Sequence, residues 1–229
     1  MSATRINAII YKQVQDTLKN KSILIQFVMF PVMASILTFS AKDFGLEPSF
    51  FVNMFAAMYV TMAPIIVVST IVSEDKEKGA LQMLRMSNVK PFEYLVGVAL
   101  YVFVLCAIGL LFMAIVGGYT SNGMIVFLLA NMAGLIISIL IGSIIGLLSP
   151  NQSASSGLSV PAMLIFSFLP MLSMFNSSIH NFSKYIYSQQ VSDIISTLEV
   201  NVTNIITLVI NFVIVLVLYL IVYKKYKFK

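Results

Sequence analysis

The sequence predicts an all-α membrane protein with six transmembrane helices, and its composition supports this fold class in three ways. Hydrophobic residues make up 59% of the 229 residues and charged residues only 10%, whereas soluble domains carry about 25% charged residues. The mean hydropathy is +0.95. No Asp, Glu, Lys or Arg occurs between Tyr94 and Ser183. A water-facing surface of this size would need far more charge, so the chain is expected to lie in a bilayer.

Six segments are apolar over roughly the 20 residues that a helix needs to cross the hydrocarbon core. They lie at about 22–41, 49–73, 94–118, 124–148, 157–175 and 204–223, within a single transmembrane domain over 1–229. Turn-forming residues at 119–123 and 149–156, rather than charges, separate the third, fourth and fifth spans. Prolines inside the spans are compatible with membrane helices.

The segment before the first span predicts an amphipathic helix along the membrane interface. Its apolar residues recur at helical spacing, with charged residues between them: Ile6, Ile9, Ile10, Val14 and Leu18. A soluble helix that caps the bundle is the alternative interpretation.

The distribution of basic residues predicts the orientation of the chain. Of the 14 Lys and Arg residues, 12 precede the first span, lie between the second and third, or follow the sixth, and only Lys42 and Lys184 fall on the other side. Both termini are therefore expected in the cytoplasm of a cell with the chain in its plasma membrane. The excess of Lys over Arg indicates a bacterial source. No basic patch is interleaved with aromatic residues, which argues against nucleic-acid binding.

The predicted spans contain no ionisable carboxylate, Lys, Arg or His, which disfavours a proton- or sodium-coupled carrier. His180 is the only histidine and Cys106 the only cysteine, and no H-E-x-x-H motif or Cys/His cluster predicts a metal site. A phosphate-binding loop of the form G-x-x-x-x-G-K-[ST] is also missing. We therefore expect a non-enzymatic subunit that binds no cofactor and whose energy comes from another polypeptide.

The connection between the second and third predicted spans, residues 74–91, is dense in charge and is called the charged connection below. It continues into about two turns of helix at 80–87, where Leu81, Leu84 and Arg85 share a face. A short helix with apolar residues and flanking charges is suited to docking into a groove of a soluble partner. The alternative is an ordinary solvated loop at the membrane interface.

The charged connection resembles that of the permease subunits of type-2 ATP-binding-cassette exporters, whose pattern is approximately E-[RK]-E-x-G-T-L-E-x-L followed by [ST]-P-[VI] and a glycine. The matching residues are Glu77, Lys78, Gly79, Leu81, Leu84, Ser87, Val89 and Gly97. The chain departs from the pattern at Ala80, Gln82 and Asn88. It also departs at Val98, where a lysine often follows the last glycine of the pattern. The resemblance implies that the connection is a coupling helix and that short re-entrant helices lie within 176–203 on the outer side, at 181–187 and 191–198.

By the same resemblance, two permeases pair, and each docks on a cytoplasmic ATPase subunit that carries ATP and Mg²⁺. The residues implied in coupling are Glu74, Glu77, Lys78, Gly79, Leu81, Leu84, Arg85 and Ser87. Leu81 and Leu84 are expected to fill the groove of the ATPase, and Glu77, Lys78 and Arg85 to fix its orientation. Whether the second permease is identical or a homologue stays open.

Two further sets of residues lie within the spans. Polar and methionine side chains that could line a substrate path are Asn53, Met54, Met58, Thr61, Met62 and Asn131; helix packing or lipid contact is the alternative for each, and interhelical hydrogen bonding for Asn131. Small residues recur every four positions at Ala130, Gly134, Ser138, Gly142 and Gly146, which predicts close packing of a neighbouring helix within the protomer. Contact between two copies is the alternative.

The function expected from the resemblance is the membrane subunit of an ATP-driven exporter of a peptide or small amphipathic molecule, in contact with membrane lipid. Two alternatives belong to other classes: a carrier or channel that works alone, and an immunity protein that sequesters a toxin.

Overall fold

A computed structural model of the chain describes residues 3–40, 45 and 47–226, without the side chain of Arg85. The described residues form helices and no strands. In chain order the helices are α1 Ala3–Lys19, α2 Lys21–Ser40, α3 Ser49–Glu77, α4 Ala80–Met86, α5 Pro91–Val116, α6 Ser121–Leu148, α7 Gln152–Ser173, α8 Ser177–Ser183, α9 Tyr187–Thr197 and α10 Val202–Tyr226.

Six of these helices, α2, α3, α5, α6, α7 and α10, are long and apolar enough to cross a membrane. The predicted fold class is thereby confirmed. The chain reverses direction at each crossing, so α1, α4, the α6–α7 connection and the end of α10 lie at one end of the bundle. We call this the basic end, because the described part of the chain carries most of its Lys and Arg residues there. The predicted end of the first span at 41, Lys42 and the last two lysines lie outside the described residues.

The ends of several spans differ from the prediction. The helix α3 continues to Glu77, four residues beyond its predicted end, and α5 begins at Pro91 rather than at 94. The helix α7 begins at Gln152 rather than at 157. These helices are longer than the predicted spans because the charged and polar residues beside the apolar segments continue the helical backbone. Proline suits the first turn of α5, where its missing N–H would have no helical partner.

The helix α3 is the most buried span, and it packs against α2, α5, α6, α7 and α9. The small residues of α6 allow the closest of these contacts. A Cβ atom on Gly142 would lie 2.9 Å from the carbonyl oxygen of Pro64, and one on Gly146 would lie 2.7 Å from Cβ of Val72. Gly134 meets Val60 of α3 and Val191 of α9. The stripe on α6 therefore lies against helices of the same chain.

The helix α1 lies across the basic end, packed on α5 and α2. Its Ile9 is buried and sits against Gly97 of α5, where a Cβ atom would come within 2.7 Å of Cγ2 of Ile9. The polar residues Gln13 and Thr17 are also buried, whereas Leu18 is 68% exposed. The apolar residues of the predicted amphipathic helix are thus divided between the protein interior and its surface.

Between α7 and α10 the chain forms the short helices α8 and α9 at the opposite end. The helix predicted at 181–187 is wrong, because the break between α8 and α9 falls inside it. The side chain of Asn176 accepts hydrogen bonds from the backbone N–H groups of Ser178 and Ile179 and so starts α8 earlier. The second predicted helix, at 191–198, is observed within α9, which ends at Thr197 and is followed by Leu198 in the left-handed conformation. Whether either helix re-enters the membrane stays a prediction.

The helix α10 is the least buried span, with 6% of its apolar stretch buried inside the protein. It contacts α6 and α9. Tyr219 is its one buried residue among those described. Most of its surface therefore faces outward from the bundle.

Candidate functional site

The last turn of α3 binds three other parts of the chain through successive side chains. Asp75 is 7% exposed. Its carboxylate accepts hydrogen bonds from the Tyr94 hydroxyl at 2.8 Å and from Nε2 of Gln13 at 3.2 Å, and it pairs with Nζ of Lys12 at 2.5 Å. A buried carboxylate is stable only when it is paired and hydrogen-bonded. These three donors meet that need and attach α1 and α5 to the end of α3.

Lys76 points to the other side of α3 and binds the carboxyl end of α6. Its Nζ donates to the carbonyl oxygens of Leu147 and Ser149 at 2.9 and 3.0 Å. The last carbonyl groups of a helix have no partner within the helix and carry partial negative charge. At the C-terminus of α6, the lysine supplies both a hydrogen-bond donor for the free carbonyl groups and a positive charge near their negative one.

Glu77 binds the neighbouring helix start. Its Oε2 accepts a hydrogen bond from the backbone N–H of Gln152, the first residue of α7, at 2.9 Å. The side chain of Asn151 accepts a further bond from the N–H of Ala154 at 2.8 Å. A carboxylate at a helix N-terminus meets free N–H groups and a favourable dipole. Lys76 and Glu77 together hold the α6–α7 connection against the end of α3.

The turn between α3 and α4 consists of Lys78 and Gly79. Lys78 forms an ion pair with Glu74, and the hydrogen bond and charge of this carboxylate raise the pKa of Lys78 above its ordinary value. Gly79 has φ +69°, a conformation that glycine adopts without steric cost. The glycine thus lets the chain reverse sharply into α4.

The helix α4 packs one face against the rest of the protein and exposes the other. Leu81 is 5% exposed and belongs to the hydrophobic core, and Leu84 packs partly against it. Met83 and Met86 are 64% and 78% exposed. The expectation that Leu81 fills a partner's groove is therefore corrected, because the apolar side chains open to a partner are Met83 and Met86. The side chain of Arg85 lies outside the described residues, and that of Ser87 is exposed.

The turn after α4 departs from the family pattern at the position of its proline. Asn88 has φ +56°, which proline cannot adopt because its ring fixes φ near −65°. Asparagine is one of the few residues that tolerate this region. The N–H of Val89 then returns to the carbonyl of Leu84 at 3.0 Å. This chain therefore ends its short helix with a different turn from that of the pattern.

The start of α5 is attached to α1 through Glu93, which is 2% exposed. Its Oε2 accepts a hydrogen bond from the N–H of Lys90 at 3.1 Å and lies 3.5 Å from Nη1 of Arg5. Sequence reasoning missed Asp75, Lys76 and Glu93 as site residues. Two signals in the sequence pointed to them. Pro91 followed two residues later by Glu93 is typical of a helix start, and both Asp75 and Glu93 are carboxylates next to the apolar end of a span.

The residues of the expected substrate path have different surroundings in the structure. Thr61 is buried and bonds to Oγ of Ser167 at 2.6 Å. Asn131 is buried too, and its Nδ2 donates to the carbonyl of Phe127, four residues earlier in the same helix. Its Oδ1 has no hydrogen-bond partner among the described residues, so the structure gives Asn131 a bond within its own helix rather than the expected interhelical one. Met58 and Met62 are partly buried against the core.

Asn53 and Met54 do border an open cavity, at the end opposite the basic end. Asn53 accepts a hydrogen bond from the Tyr119 hydroxyl. The cavity has a volume of about 410 Å³, and its lining also includes Glu47, Phe50, Met174, Ser192 and Ser196. In α9 nearby, burial raises the pKa of Asp193, an effect that a hydrogen bond from Gln189 partly offsets.

The fold and this site define a class of protein: a multi-pass helical membrane protein with a short exposed helix between its second and third spans. Residues 1–224 match the family model described as ABC-2 family transporter protein. The chain therefore belongs to the ABC-2 family of transporter permeases, which confirms the resemblance found in the charged connection. It is a membrane permease subunit of an ABC transporter and is not itself catalytic. No curated protein sequence gives a significant match to the chain.

Proposed function

We propose that this permease subunit belongs to an ATP-driven exporter that moves a peptide or small amphipathic molecule, and that it docks on a separate ATPase subunit through α4. Permeases of the family normally pair with an ATP-binding-cassette ATPase. The observation that carries the proposal is the orientation of α4, which presents Met83 and Met86 while Leu81 is buried in the core.

The exposed face of α4 has the chemistry of a docking surface. Methionine side chains are flexible and polarisable and adapt to an apolar groove, and a short helix laid into a groove is a recurrent mode of recognition. Leu81 and Leu84 hold the helix on its own subunit, so a force applied to Met83 and Met86 reaches the spans rather than bending a free loop.

The last turn of α3 is the route by which docking would reach the membrane. Only Lys78 and Gly79 separate α3 from α4. Asp75, Lys76 and Glu77 bind α1, α6 and α7. A displacement of α4 would therefore act on several helices at once. Coupling of this kind requires that ATP-dependent states of the partner differ in their affinity for two arrangements of these contacts.

The proposed orientation places the basic end and both termini in the cytoplasm, where the ATPase binds ATP and Mg²⁺. The positive-inside rule supports this orientation. A polar cavity of about 740 Å³ opens beside α4 at this end, and it is lined by Lys12, Asp16, Lys19, Glu74, Lys78 and others. Its mixed charges suit polar side chains of a soluble subunit at the rim of the docking site. The complete exporter would contain two permeases, identical or homologous, each with its ATPase.

The cavity at the opposite end supports the proposed cargo. Its volume of about 410 Å³ lies within the usual range of small-molecule sites, about 300–1,000 Å³. Apolar side chains such as Met54 and Met174 alternate there with polar ones such as Asn53 and Ser192. Such a lining fits a short amphipathic peptide better than a sugar chain, which would favour flat aromatic surfaces.

The proposal is tested in two steps. The chain is first purified in detergent with its endogenous partners, and a variant in which glutamine replaces both Met83 and Met86 is then purified in the same way and compared with it. Glutamine keeps the length of methionine but makes the docking face polar. We expect the double variant to bind the ATPase about tenfold more weakly or worse, a loss of about 1.4 kcal/mol, and to lose cargo-stimulated ATP hydrolysis in proteoliposomes. Replacing Leu84 by aspartate would be a poorer test, because this side chain packs on the core.

The matched control is Met174→Gln, which changes a methionine that is 57% exposed at the opposite end. It serves as a control for ATPase binding alone, because the same side chain lines the cavity at that end. It should leave ATPase binding unchanged. Recovery of the chain without any ATPase, under conditions that keep known transporter complexes intact, would instead favour a self-sufficient carrier or a sequestering protein. Normal ATPase binding and coupling by the double methionine variant would refute the assignment of α4.

A further inference from the structure

The start of α9 lies deep beside the long helices. The Tyr187 hydroxyl lies 2.8 Å from that of Ser138, which is about 25 Å along α6 from the first residue of this helix at 1.5 Å per residue. Nδ2 of Asn211 donates to the carbonyl of Tyr185 at 2.9 Å, about 14 Å along α10 from its first residue. At the other end of α9, Leu198 lies against the first turn of α6. The helix α9 therefore begins at depth and runs toward the opposite end of the bundle.

This helix start has no side-chain cap. The residue before it is Ile186, whose side chain cannot accept a hydrogen bond, whereas α6, α7 and α8 are each capped by a threonine or asparagine side chain. The first N–H groups of a helix have no acceptor within the helix. Those of residues 187–189 also find no other acceptor within the described part of the chain. They lie at the positive end of the helix dipole, so the start of α9 carries free donors and positive potential.

Ser188 adds a further donor at the same place. The residue is 1% exposed, and its hydroxyl has no hydrogen-bond partner among the described residues. The neighbouring polar side chains are already engaged, since Gln189 bonds to Ser183 and Asp193, and Gln190 donates to a backbone carbonyl. Buried polar groups are stable only when they are hydrogen-bonded. The donors at the start of α9 therefore require an acceptor that the described chain does not supply.

One face of α9 leads from Ser188 to the open cavity at the opposite end. Ser188, Ser192 and Ser196 recur every four residues and so lie on the same face of the helix. Ser192 and Ser196 line the cavity of about 410 Å³, so Ser188 lies on the cavity side of α9, one turn deeper. Exposure falls along this face from Ser196 to Ser188, which means that the cavity is closed at its deep end in this structure. A ligand reaches the start of α9 when this helix moves away from the facing side chains Met54 and Met174.

The cavity carries a negative charge at its open end. Glu47 lines it together with Ser196, and both residues also line an adjoining cavity of about 280 Å³. The hydroxyl of Ser49 donates to Glu47 at 3.3 Å. Among the described residues, no lysine or arginine lines either cavity. Ser196 and Ser188 are about 12 Å apart along α9, so a carboxylate and a group of hydrogen-bond donors lie at the two ends of one path.

We propose that this path binds the cargo as a short peptide with free termini, its carboxylate at the start of α9 and its ammonium group at Glu47. A carboxylate matches the free N–H groups of a helix N-terminus and the hydroxyl of Ser188. An extended peptide covers about 3.3–3.6 Å per residue, so about three or four residues span the path. Their apolar side chains would contact Met54 and Met174. The inference rests on the proposed export function and specifies the chemistry of its cargo.

Other occupants fit only one end of the path. A simple inorganic anion or a fatty acid supplies an acceptor for the donors at α9 but no positive group for Glu47. Ordered water supplies acceptors and no charge at all. The zwitterion of a short peptide supplies a negative and a positive group, one at each end. Removing one terminal charge at a time therefore separates these occupants.

The unsubstituted full-length chain in detergent is titrated calorimetrically with trileucine and with two analogues that each lack one charge. Trileucine amide has no carboxylate, and N-acetyl-trileucine has no ammonium group. We expect both analogues to bind about tenfold more weakly than trileucine, because each loses a charge-assisted contact. The variant Glu47→Gln should weaken the binding of trileucine to the level of N-acetyl-trileucine and leave that of N-acetyl-trileucine unchanged.

Cysteine labelling locates the carboxylate end of the path. In a Cys106→Ser background, Ser188→Cys and Ser196→Cys place one thiol at each end. Each variant reacts with two methanethiosulfonate reagents of similar size, one with a sulfonate and one with a trimethylammonium group, and each rate is divided by that of a free thiol. We expect position 188 to favour the sulfonate reagent about tenfold more than position 196 does, because the helix N-terminus attracts negative charge. Trileucine should slow the labelling of position 188, and trileucine amide should not.

Three results would overturn the proposal. Equal affinity of the unsubstituted chain for trileucine and its amide would mean that water alone fills the donors at α9. The same charge preference at positions 188 and 196, or no labelling at 188, would remove the site from the start of α9. Unchanged affinity of Glu47→Gln for trileucine would remove the ammonium site. None of these measurements involves the ATPase, so a chain that discriminates the three peptides but binds no ATPase would refute the exporter and keep the peptide site.

Discussion

Asp75 connects three helices, since this residue of α3 receives hydrogen-bond donors from α1 and from α5. Hydrogen bonds to a charged group stabilise more than those between neutral groups. At this buried position each lost donor leaves part of the carboxylate's negative charge without compensation. The contribution of Asp75 to the free energy of unfolding therefore depends on a few donor atoms. Substitutions that remove one of these atoms test this contribution.

Removing the Tyr94 hydroxyl is the smallest such change. We expect Tyr94→Phe to lower the free energy of unfolding by about 1.5–3 kcal/mol, the range for a hydrogen bond to a charged group. For a chain of this size each kcal/mol lowers Tm by about 2–4 °C. Thermal unfolding of the detergent-solubilised chain, followed by circular dichroism, measures the change.

The control for this substitution is Tyr185→Phe, which removes a hydroxyl from a tyrosine that is 68% exposed. Surface changes of this kind usually stay within about 0.5 kcal/mol. If Tyr94→Phe were as harmless as Tyr185→Phe, the hydrogen bond to Asp75 would not contribute to stability.

At the scale of helices, the contact between α3 and α6 organises the bundle. Gly142 and Gly146 let the backbone of α6 approach α3 closely. A Cβ atom on Gly142 would lie 2.9 Å from the carbonyl oxygen of Pro64, and one on Gly146 would lie 3.1 Å from that of Ser69. Serines and threonine on α3 and α7, among them Thr61 and Ser167, add polar contacts to the same core. The helices are therefore held by shape and by hydrogen bonds, as is usual where lipid replaces water.

Two glycine substitutions separate packing from helix propensity. In Gly146→Ala the new Cβ would lie 2.7 Å from Cβ of Val72, and overpacking of this kind costs about 1–3 kcal/mol. In Gly157→Ala the new Cβ meets nothing within 4 Å, so we expect a gain of up to about 1 kcal/mol from the better helix propensity of alanine. Thermal unfolding of the two variants should shift in opposite directions. A stabilising Gly146→Ala substitution would show that α6 is free to move away from α3.

The helices were predictable from the sequence because each is a long apolar run, and long apolar runs have few alternatives to crossing a membrane. The ends of the helices were not, since Glu77 and Glu93 lie within helices that continue beyond the apolar segments. The orientation of α4 depends on how Leu81 meets the core. The Asp75 cluster joins residues that lie 62 positions apart in the case of Gln13. Periodicity within one segment carries no information about such distant partners.

At the scale of the whole molecule, the basic end and the opposite end are chemically distinct. The basic end carries the ion pairs of Arg5 and Lys12 and the exposed face of α4. The opposite end carries the short helices α8 and α9 and the cavity at Asn53. If export is the function, the basic end must face the cytoplasm and the opposite end must face the outside of the cell.

Cysteine labelling tests this direction. In a Cys106→Ser background, which removes the buried native thiol, Ser87→Cys and Asn122→Cys place single thiols at exposed positions of the basic and opposite ends. We expect a membrane-impermeant maleimide to label position 122 on intact cells and position 87 only after permeabilisation. The reverse pattern would invert the orientation and remove the argument for an ATPase at α4.

The slight packing of α10 has a consequence for how the chain is made. The contacts among α2 to α7 are formed by residues that precede Val202 in the chain, so these helices can pack on one another before α10 is made. The last helix then enters the bilayer mainly because its own side chains partition into lipid. Lys224 and Lys225 lie in its last turn, and in the proposed orientation they would keep that end in the cytoplasm. A nascent chain that stops just short of α10 would therefore already contain α4, the last turn of α3 and the helices that this turn contacts, while the final span determines where the C-terminus lies.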